Sequence, residues 1–123
     1  MKGLVKAFKQ KALGNTYFRQ VLETGDNTQI VVMSIPPGGE IGEEAHDKED
    51  QILYFVAGSG EAILEGETQA IEEGDIVLVH HGTNHNFKNN GKEDLKIITT
   101  YSPPHHPDGT IHKTKKEADA AGY

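Results

Sequence analysis

The sequence predicts an all-β barrel or sandwich of one domain that ends in a short helix. Short apolar runs, many of them rich in β-branched residues, alternate along the chain with turns that contain glycine. Strands at such regular spacing are typical of β-sandwiches and β-barrels. The chain has 123 residues, which is enough to bury a hydrophobic core without disulfides. Periodicity alone does not choose between the all-β topologies.

The predicted strands lie between residues 29 and 101, which we assign to the barrel core. The first, Gln29 to Ile35, is rich in β-branched residues and stops at two prolines and two glycines that favour a turn. We assign residues 1–28 to an N-terminal strand or arm of the same barrel. The other predicted strands are Gln51 to Val56, Glu61 to Leu64, Thr68 to Ile71, Ile76 to Val79, His85 to Asn89 and Leu95 to Tyr101.

Residues 102–123 are predicted to form a proline-rich loop and a short C-terminal helix. This loop cannot be a central strand, because its prolines have no backbone N–H group to donate to a neighbouring strand. Thr114 and Glu117 have the spacing of a capping box, and the alanines that follow favour a helix.

Composition excludes several classes of function. The net charge of −7, from 12 basic and 19 acidic residues, argues against binding to nucleic acid or to a membrane surface. The absence of cysteine excludes disulfides and thiolate chemistry, and we expect a cytoplasmic protein. Lysines interrupt the N-terminal segment too often for a signal peptide, and we expect no membrane-spanning segment.

Two segments carry most of the functional information. The first has the pattern Gly38-x5-Glu44-x-His46-x4-Gln51-x6-Gly58. It resembles the first signature motif of the cupin superfamily, G-x5-H-x-H-x(3,4)-E-x6-G. The spacing is the same, but glutamate replaces the first histidine and glutamine replaces the motif's glutamate.

The second segment has the pattern Gly74-x5-His80-x-Gly82-x2-His85-x3-Asn89. It resembles the second cupin motif, G-x5-P-x-G-x2-H-x3-N, with His80 in place of the turn proline. This resemblance implies a double-stranded β-helix, the cupin or jelly-roll barrel. It also implies that such a chain forms a homodimer.

The resemblance further implies a divalent metal ion, because the motif positions of cupins are metal ligands. Carried over position by position, the ligands are Glu44, His46, Gln51 and His85. Two imidazoles and a carboxylate can hold iron, manganese, zinc or nickel. Gln51 is either a weak fourth ligand or a hydrogen-bonding residue inside the barrel. Glu43 competes with Glu44, because a one-residue bulge would exchange their positions.

The remaining histidines have less specific interpretations. His80 and His81 are expected in a turn. His105 and His106 are expected on a solvated loop, while the alternative is that this loop folds over the barrel mouth and supplies a ligand or proton carrier. Tyr101 is expected to pack at a strand end with its hydroxyl as a polar tip.

Two classes of function follow from the resemblance, and the sequence leaves both open. The first is a metalloenzyme acting on a small organic molecule, since small cupins include dioxygenases, isomerases, epimerases and decarboxylases. The alternative is a non-catalytic cupin that binds a small ligand or has a structural role, with a degenerate metal site. Either way, we expect a small-molecule ligand or substrate.

Overall fold

Two antiparallel β-sheets build the protein in the computed structural model, which describes residues 1–122. Within those residues there are nine strands and two helices. The strands are β1 (Arg19–Thr24), β2 (Gln29–Ile35), β3 (Asp50–Ala57), β4 (Ser59–Leu64), β5 (Glu67–Glu72), β6 (Ile76–Val79), β7 (His85–Lys88), β8 (Leu95–Ser102) and β9 (Ile111–His112). The helices are α1 (Phe8–Gly14) and α2 (Lys115–Ala121). The predicted all-β barrel with a short C-terminal helix is confirmed.

The sheets differ in size and share one core. One sheet has the order β6-β3-β8-β2-β1-β9 and the other has the order β5-β4-β7. Phe55 of the larger sheet and Phe87 of the smaller one are fully buried, with ring centroids 5.8 Å apart. Their contact shows that the apolar faces of the two sheets pack against each other. The core therefore lies between the sheets, as alternation along the strands requires.

The predicted strands agree closely with the observed ones because turn residues flank them. Strands β2 and β6 have the predicted bounds, and the other five differ by one or two residues at their ends. Before β6, the carboxylate of Asp75 accepts a hydrogen bond of 2.8 Å from the N–H of Glu72 and closes the turn. Local turn chemistry of this kind is readable from sequence.

The N-terminal region contains a helix that the sequence did not predict. Helix α1 begins after Ala7, which has a left-handed φ of 50° and makes no capping hydrogen bond through its side chain. No acidic residue lies in the first turn of this helix. The usual signals of a helix start are therefore missing. Ala12 of α1 is buried against Val32 and Val56 on the outer side of the larger sheet, and this packing stabilises a helix that is too short to persist alone.

The C-terminal helix has the cap that the sequence predicted. The hydroxyl of Thr114 accepts a hydrogen bond of 3.1 Å from the N–H of Glu117. The carboxylate of Glu117 accepts from the N–H of Lys113, one residue before the cap. Ala118 is buried in the main core and docks the helix onto the barrel. Neither helix within residues 1–122 is long and apolar enough to cross a membrane.

Candidate metal centre

Backbone pairing brings the two motifs together at one end of the barrel. Glu44 and His85 form an isolated antiparallel bridge in which each N–H donates to the other's carbonyl, at 3.0 and 2.9 Å. His46 lies two residues further along the same extended segment, so its side chain points to the same side as that of Glu44. The N–H of Gly82 donates to the carbonyl of His46 at 2.7 Å and ties the other end of this segment to the second motif.

Three predicted ligands converge, and we call Glu44, His46 and His85 the inner cluster. Their ligand atoms all lie within 4.8 Å of one another. The Nε2 atoms of His46 and His85 lie 3.2 and 3.7 Å from Oε1 of Glu44. Both Nε2 atoms are buried and have no hydrogen-bond partner among the described residues. Buried polar atoms without partners are rare in folded proteins, and a bound cation would satisfy them.

The orientation of His85 suits a metal ligand. Its Nδ1 lies 2.8 Å from the carbonyl oxygen of Thr83, which can only accept a hydrogen bond. In the neutral ring Nδ1 therefore carries the proton, and Nε2 presents its lone pair to the inner cluster. A second hydrogen bond of this kind fixes the ring of many metal-bound histidines. The donor set of the inner cluster thus fits a divalent metal ion.

The structure places Glu44, and not Glu43, in the inner cluster. Glu43 is exposed, and its carboxylate accepts a hydrogen bond of 2.6 Å from the side-chain amide of Asn84. Because neighbouring residues of an extended segment point to opposite sides, only one of the two acids can face the histidines.

Gln51, the second residue of β3, is buried near the same end of the barrel. Its Nε2 donates hydrogen bonds to the hydroxyls of Thr99, at 3.0 Å, and of Tyr101, at 3.1 Å. Its Oε1 is buried and has no hydrogen-bond partner among the described residues. The amide therefore has a fixed orientation, with the nitrogen used inside the barrel and the oxygen left for another partner. Tyr101 is a packing residue with a polar tip, as expected.

Mutual interactions shift the pKa values of the inner cluster. Burial alone would raise the pKa of Glu44, but the adjacent imidazoles of His46 and His85 outweigh it and hold that pKa well below its ordinary value. Burial alone would lower the pKa of His85, but the Glu44 carboxylate and the Thr83 carbonyl outweigh it and raise that pKa above its ordinary value. Without a metal, these interactions favour the ionised form of Glu44 and strengthen proton binding by His85.

The proline-rich loop after β8 folds over this end of the barrel, so the expectation of a solvated loop is wrong for His106. His106 is only 5% exposed, and its ring contacts that of Tyr101 with centroids 5.0 Å apart. The ring of His105 lies 4.5 Å from that of His46, centroid to centroid. Buried Gln29 holds the loop, because its Oε1 accepts from the N–H groups of His105 and His106 and its Nε2 donates to the His106 carbonyl. His80 and His81 are exposed in a turn, as expected.

A cavity of about 350 Å³ lies beside the inner cluster and includes a residue that the sequence analysis missed. Glu44, His46 and Tyr101 line it together with Arg19, which is 5% exposed and is the only arginine of the sequence. The guanidinium of Arg19 donates a hydrogen bond of 3.2 Å to Nδ1 of His112. Arg19 belongs to β1, outside both motifs, and a single arginine near the N-terminus gave no signal that could have identified it.

The family relationship follows from comparison with known proteins. The profile of the family described as Cupin domain matches residues 31–101, which is more than half of the chain. This chain is a cupin. The double-stranded β-helix predicted from the two motifs is thereby confirmed, since the matched segment contains both of them and most of the observed strands.

Two other proteins resemble this cupin over most of its length. The crystal structure of BH2720 from Bacillus halodurans superposes with a TM-score of 0.95 at 34% identity, covering 97% of this chain and 95% of that one. The uncharacterised protein YrkC of Bacillus subtilis is 37% identical over 114 residues, which are 87% of this chain. The matched region spans only 61% of YrkC.

A relative whose name states a ligand matches a shorter region. The oxalate-binding protein of Thermotoga maritima is 32% identical over 66 residues, which are 54% of each chain. The similarity places a binding protein for a small organic acid among the relatives of this cupin.

Proposed function

We propose that this cupin binds one divalent metal ion and acts as a metalloenzyme on a small organic anion. The observation that carries the proposal is the inner cluster, in which two buried Nε2 atoms without hydrogen-bond partners face a carboxylate beside the cavity. Glu44, His46 and His85 would hold the ion, which we expect to be iron, manganese, zinc or nickel. Gln51 would add its Oε1 as a fourth and weaker donor.

A divalent metal in such a donor set supplies Lewis acidity and leaves coordination positions open to a substrate. The protein side chains around the cavity would orient that substrate. Burial raises the pKa of Tyr101, so its phenol remains protonated at neutral pH. Burial, aided by the charge of Arg19, lowers the pKa of His106 well below its ordinary value, so its imidazole remains neutral. These two residues would therefore line the substrate cavity without adding charge.

Charge favours an anionic substrate. A divalent ion and Arg19 together carry more positive charge than Glu44 and Asp119, the two carboxylates that line the cavity. A buried guanidinium presents a planar pair of donors that matches a carboxylate. The oxalate-binding relative supports the same class of ligand.

The test depends on Arg19, the only arginine of the sequence, as the group that would bind the substrate's carboxylate. Metal-loaded protein is mixed with small carboxylic acids and with the corresponding neutral amides, and the thermal unfolding midpoint is measured. We expect the acids to raise the midpoint and the amides to leave it unchanged, because only the acids pair with Arg19 and the cation. A bound acid should also protect Arg19 from phenylglyoxal, which reacts with no other arginine in this sequence.

Arg19→Lys is the matched variant, since it keeps the charge but removes the planar pair of donors. Circular dichroism checks that the variant folds. Weaker acid binding with unchanged metal content would support the assignment. Equal stabilisation by acids and amides would contradict an anionic substrate.

The alternative function is a non-catalytic cupin that binds a small ligand. Gln51 favours it, because an uncharged amide stands where the cupin motif has a glutamate and part of that amide is used for hydrogen bonds within the barrel. Proton NMR of a bound acid separates the two functions. A metalloenzyme would convert the acid when metal is present and lose this activity in His46→Ala, whereas a binding protein would return the acid unchanged.

We further propose a homodimer formed through the outer face of β3 and β6. The face carries Ile52, Tyr54, Ile76 and Leu78, which are 39 to 64% exposed. They are cross-strand partners, Ile52 with Leu78 and Tyr54 with Ile76, so their apolar surfaces are contiguous. Strand β6 is also a sheet edge, which a second copy could cover. Ile76→Lys should convert the dimer to a monomer in sedimentation velocity, and a monomeric wild type would contradict the proposal.

A further inference from the structure

A second group of metal-binding side chains lies against the inner cluster. We call His46, Glu49 and His105 the outer cluster, because their ligand atoms also lie within 4.8 Å of one another. Nδ1 of His105 is 3.4 Å from Oε1 of Glu49. His46 belongs to both clusters, whereas Glu49 occupies an unspecified position of the first cupin motif and His105 lies outside both motifs.

Strand pairing explains why the outer cluster assembles. Strands β3 and β8 are antiparallel, and Asp50 at the start of β3 pairs with Ser102 at the end of β8. Glu49 comes directly before β3 and His105 follows β8 by three residues. Both residues therefore lie at the same end of this strand pair. The hydrogen bonds from Gln29 to the loop then hold the backbone of His105 in place. The outer cluster is therefore built into the fold rather than brought together by a loose loop.

The burial of its side chains indicates that the outer cluster is preformed and lies closer to solvent than the inner cluster. The side chain of Glu49 is only 14% exposed and that of His105 is 28% exposed, whereas that of His85 in the inner cluster is 1% exposed. A largely buried carboxylate is stable only with a cationic partner. Two imidazoles and one carboxylate suit the same divalent metals as the inner cluster.

We propose that the outer cluster is a second divalent-cation position, alternative to the inner one, with His46 as the shared ligand. A neutral imidazole has one lone pair, so His46 binds a cation in one position at a time. The chain thus holds one cation, which the inner cluster binds more tightly because His85 is more deeply buried than His105 and its Nε2 has no hydrogen-bond partner among the described residues. This inference depends on the inner metal site of the proposed function.

The experiment measures Zn²⁺ binding by isothermal titration calorimetry. Wild type should bind one equivalent. His85→Ala disables the inner cluster, and the cation should move to the outer one, with one equivalent retained and an affinity lower by about 10- to 100-fold. Adding Glu49→Gln or His105→Ala to His85→Ala should then remove the remaining binding. His80→Ala in the same background is the matched control, since His80 is an exposed histidine outside both clusters.

The results separate failure of this inference from failure of the proposed function. No Zn²⁺ binding by folded wild type would overturn both. Binding by wild type but not by His85→Ala would overturn the outer position alone. Residual binding that survives both Glu49→Gln and His105→Ala would also overturn it, as would two equivalents in the wild type. Circular dichroism of each variant verifies the fold.

Discussion

Replacing Gln51 by glutamate tests whether this residue faces the metal. Gln51 is 1% exposed, and the substitution exchanges its NH₂ group for an oxygen with almost no change of volume. The hydroxyls of Thr99 and Tyr101, which now accept hydrogen bonds from that NH₂ group, can rotate and donate to a carboxylate instead. The variant should therefore fold, and its main effect should be the added negative charge.

The size of the effect without metal follows from burial. A buried carboxylate has a folded pKa above its unfolded value of about 4.3, and each unit of difference corresponds to about 1.4 kcal/mol. At pH 7 the destabilisation cannot exceed about 4 kcal/mol, because beyond that the group takes up a proton instead. The loss is absent below about pH 4 and grows as pH rises towards the folded pKa, since the unfolded chain binds fewer protons there. The maximal destabilisation at pH 7 should lower the thermal unfolding midpoint by up to about 15 °C for a chain of this size.

With metal present, the effect of Gln51→Glu should have the opposite sign, because the added charge then favours the metal-bound folded state. A carboxylate donates more charge to a cation than an amide does, so Gln51→Glu should bind Zn²⁺ about tenfold or more tightly, which is about 1.4 kcal/mol. Thermal unfolding with chelator and with Zn²⁺, together with calorimetry, measures both effects. Gln29→Glu is the matched control, because Gln29 is also fully buried but its Oε1 already accepts from the N–H groups of His105 and His106, whereas Oε1 of Gln51 has no partner among the described residues. It should be destabilised without gaining metal affinity. An unchanged Zn²⁺ affinity of Gln51→Glu would show that Gln51 is not a ligand.

Three further predictions follow from the same geometry. The double variant His46→Ala and His85→Ala should remove Zn²⁺ binding and, with it, the stabilisation of about 2.7 kcal/mol expected at a hundredfold excess over the dissociation constant; equal metal content in variant and wild type would refute the site. Zn²⁺ affinity should fall as pH drops, already above pH ~6.5, because the raised pKa of His85 keeps a proton on the ring that the cation must displace; calorimetry from pH 5 to 8 would show a constant affinity if this is wrong. Gly58→Ala should lose about 3 kcal/mol or more of stability in urea unfolding, since φ is +91° and a Cβ would lie 2.7 Å from the carbonyl oxygen of Asp94. Gly66→Ala has a similar φ of +81° with open space around it, so it should lose only about 1 kcal/mol, and equal losses would contradict the role of the clash.

The barrel and most of its strands could be predicted from the sequence because their signals are local. Alternation of apolar residues, prolines and glycines acts over a few neighbouring positions, and the observed strand ends follow those residues. Helix α1 could not be predicted, because it lacks a cap and depends on packing of Ala12 against strands distant in sequence. Strand β9 is only two residues long and exists because it pairs with β1.

The candidate metal site shows the same division. The resemblance to the cupin motifs implied His46 and His85 as ligands, and the structure brings both into the inner cluster. The choice of Glu44 over Glu43 required the three-dimensional structure, since the pairing of Glu44 with His85 sets which acid points inward. Whether Gln51 and the metal interact remains a prediction.

The sequence by itself determined the fold class, the family resemblance and the spacing of the candidate ligands. The tertiary structure alone brought Arg19, Glu49 and His105 to the site, from β1, the turn before β3 and the loop after β8. Arg19 and His105 lie outside the motifs, Glu49 occupies an unspecified position of the first motif, and all three are unremarkable among their neighbours in the sequence. Their positions depend on long-range strand pairing and on the hydrogen bonds of Gln29 to the loop. Interactions between residues so far apart in the chain leave no periodic or compositional signal, so they become visible only once the chain is folded.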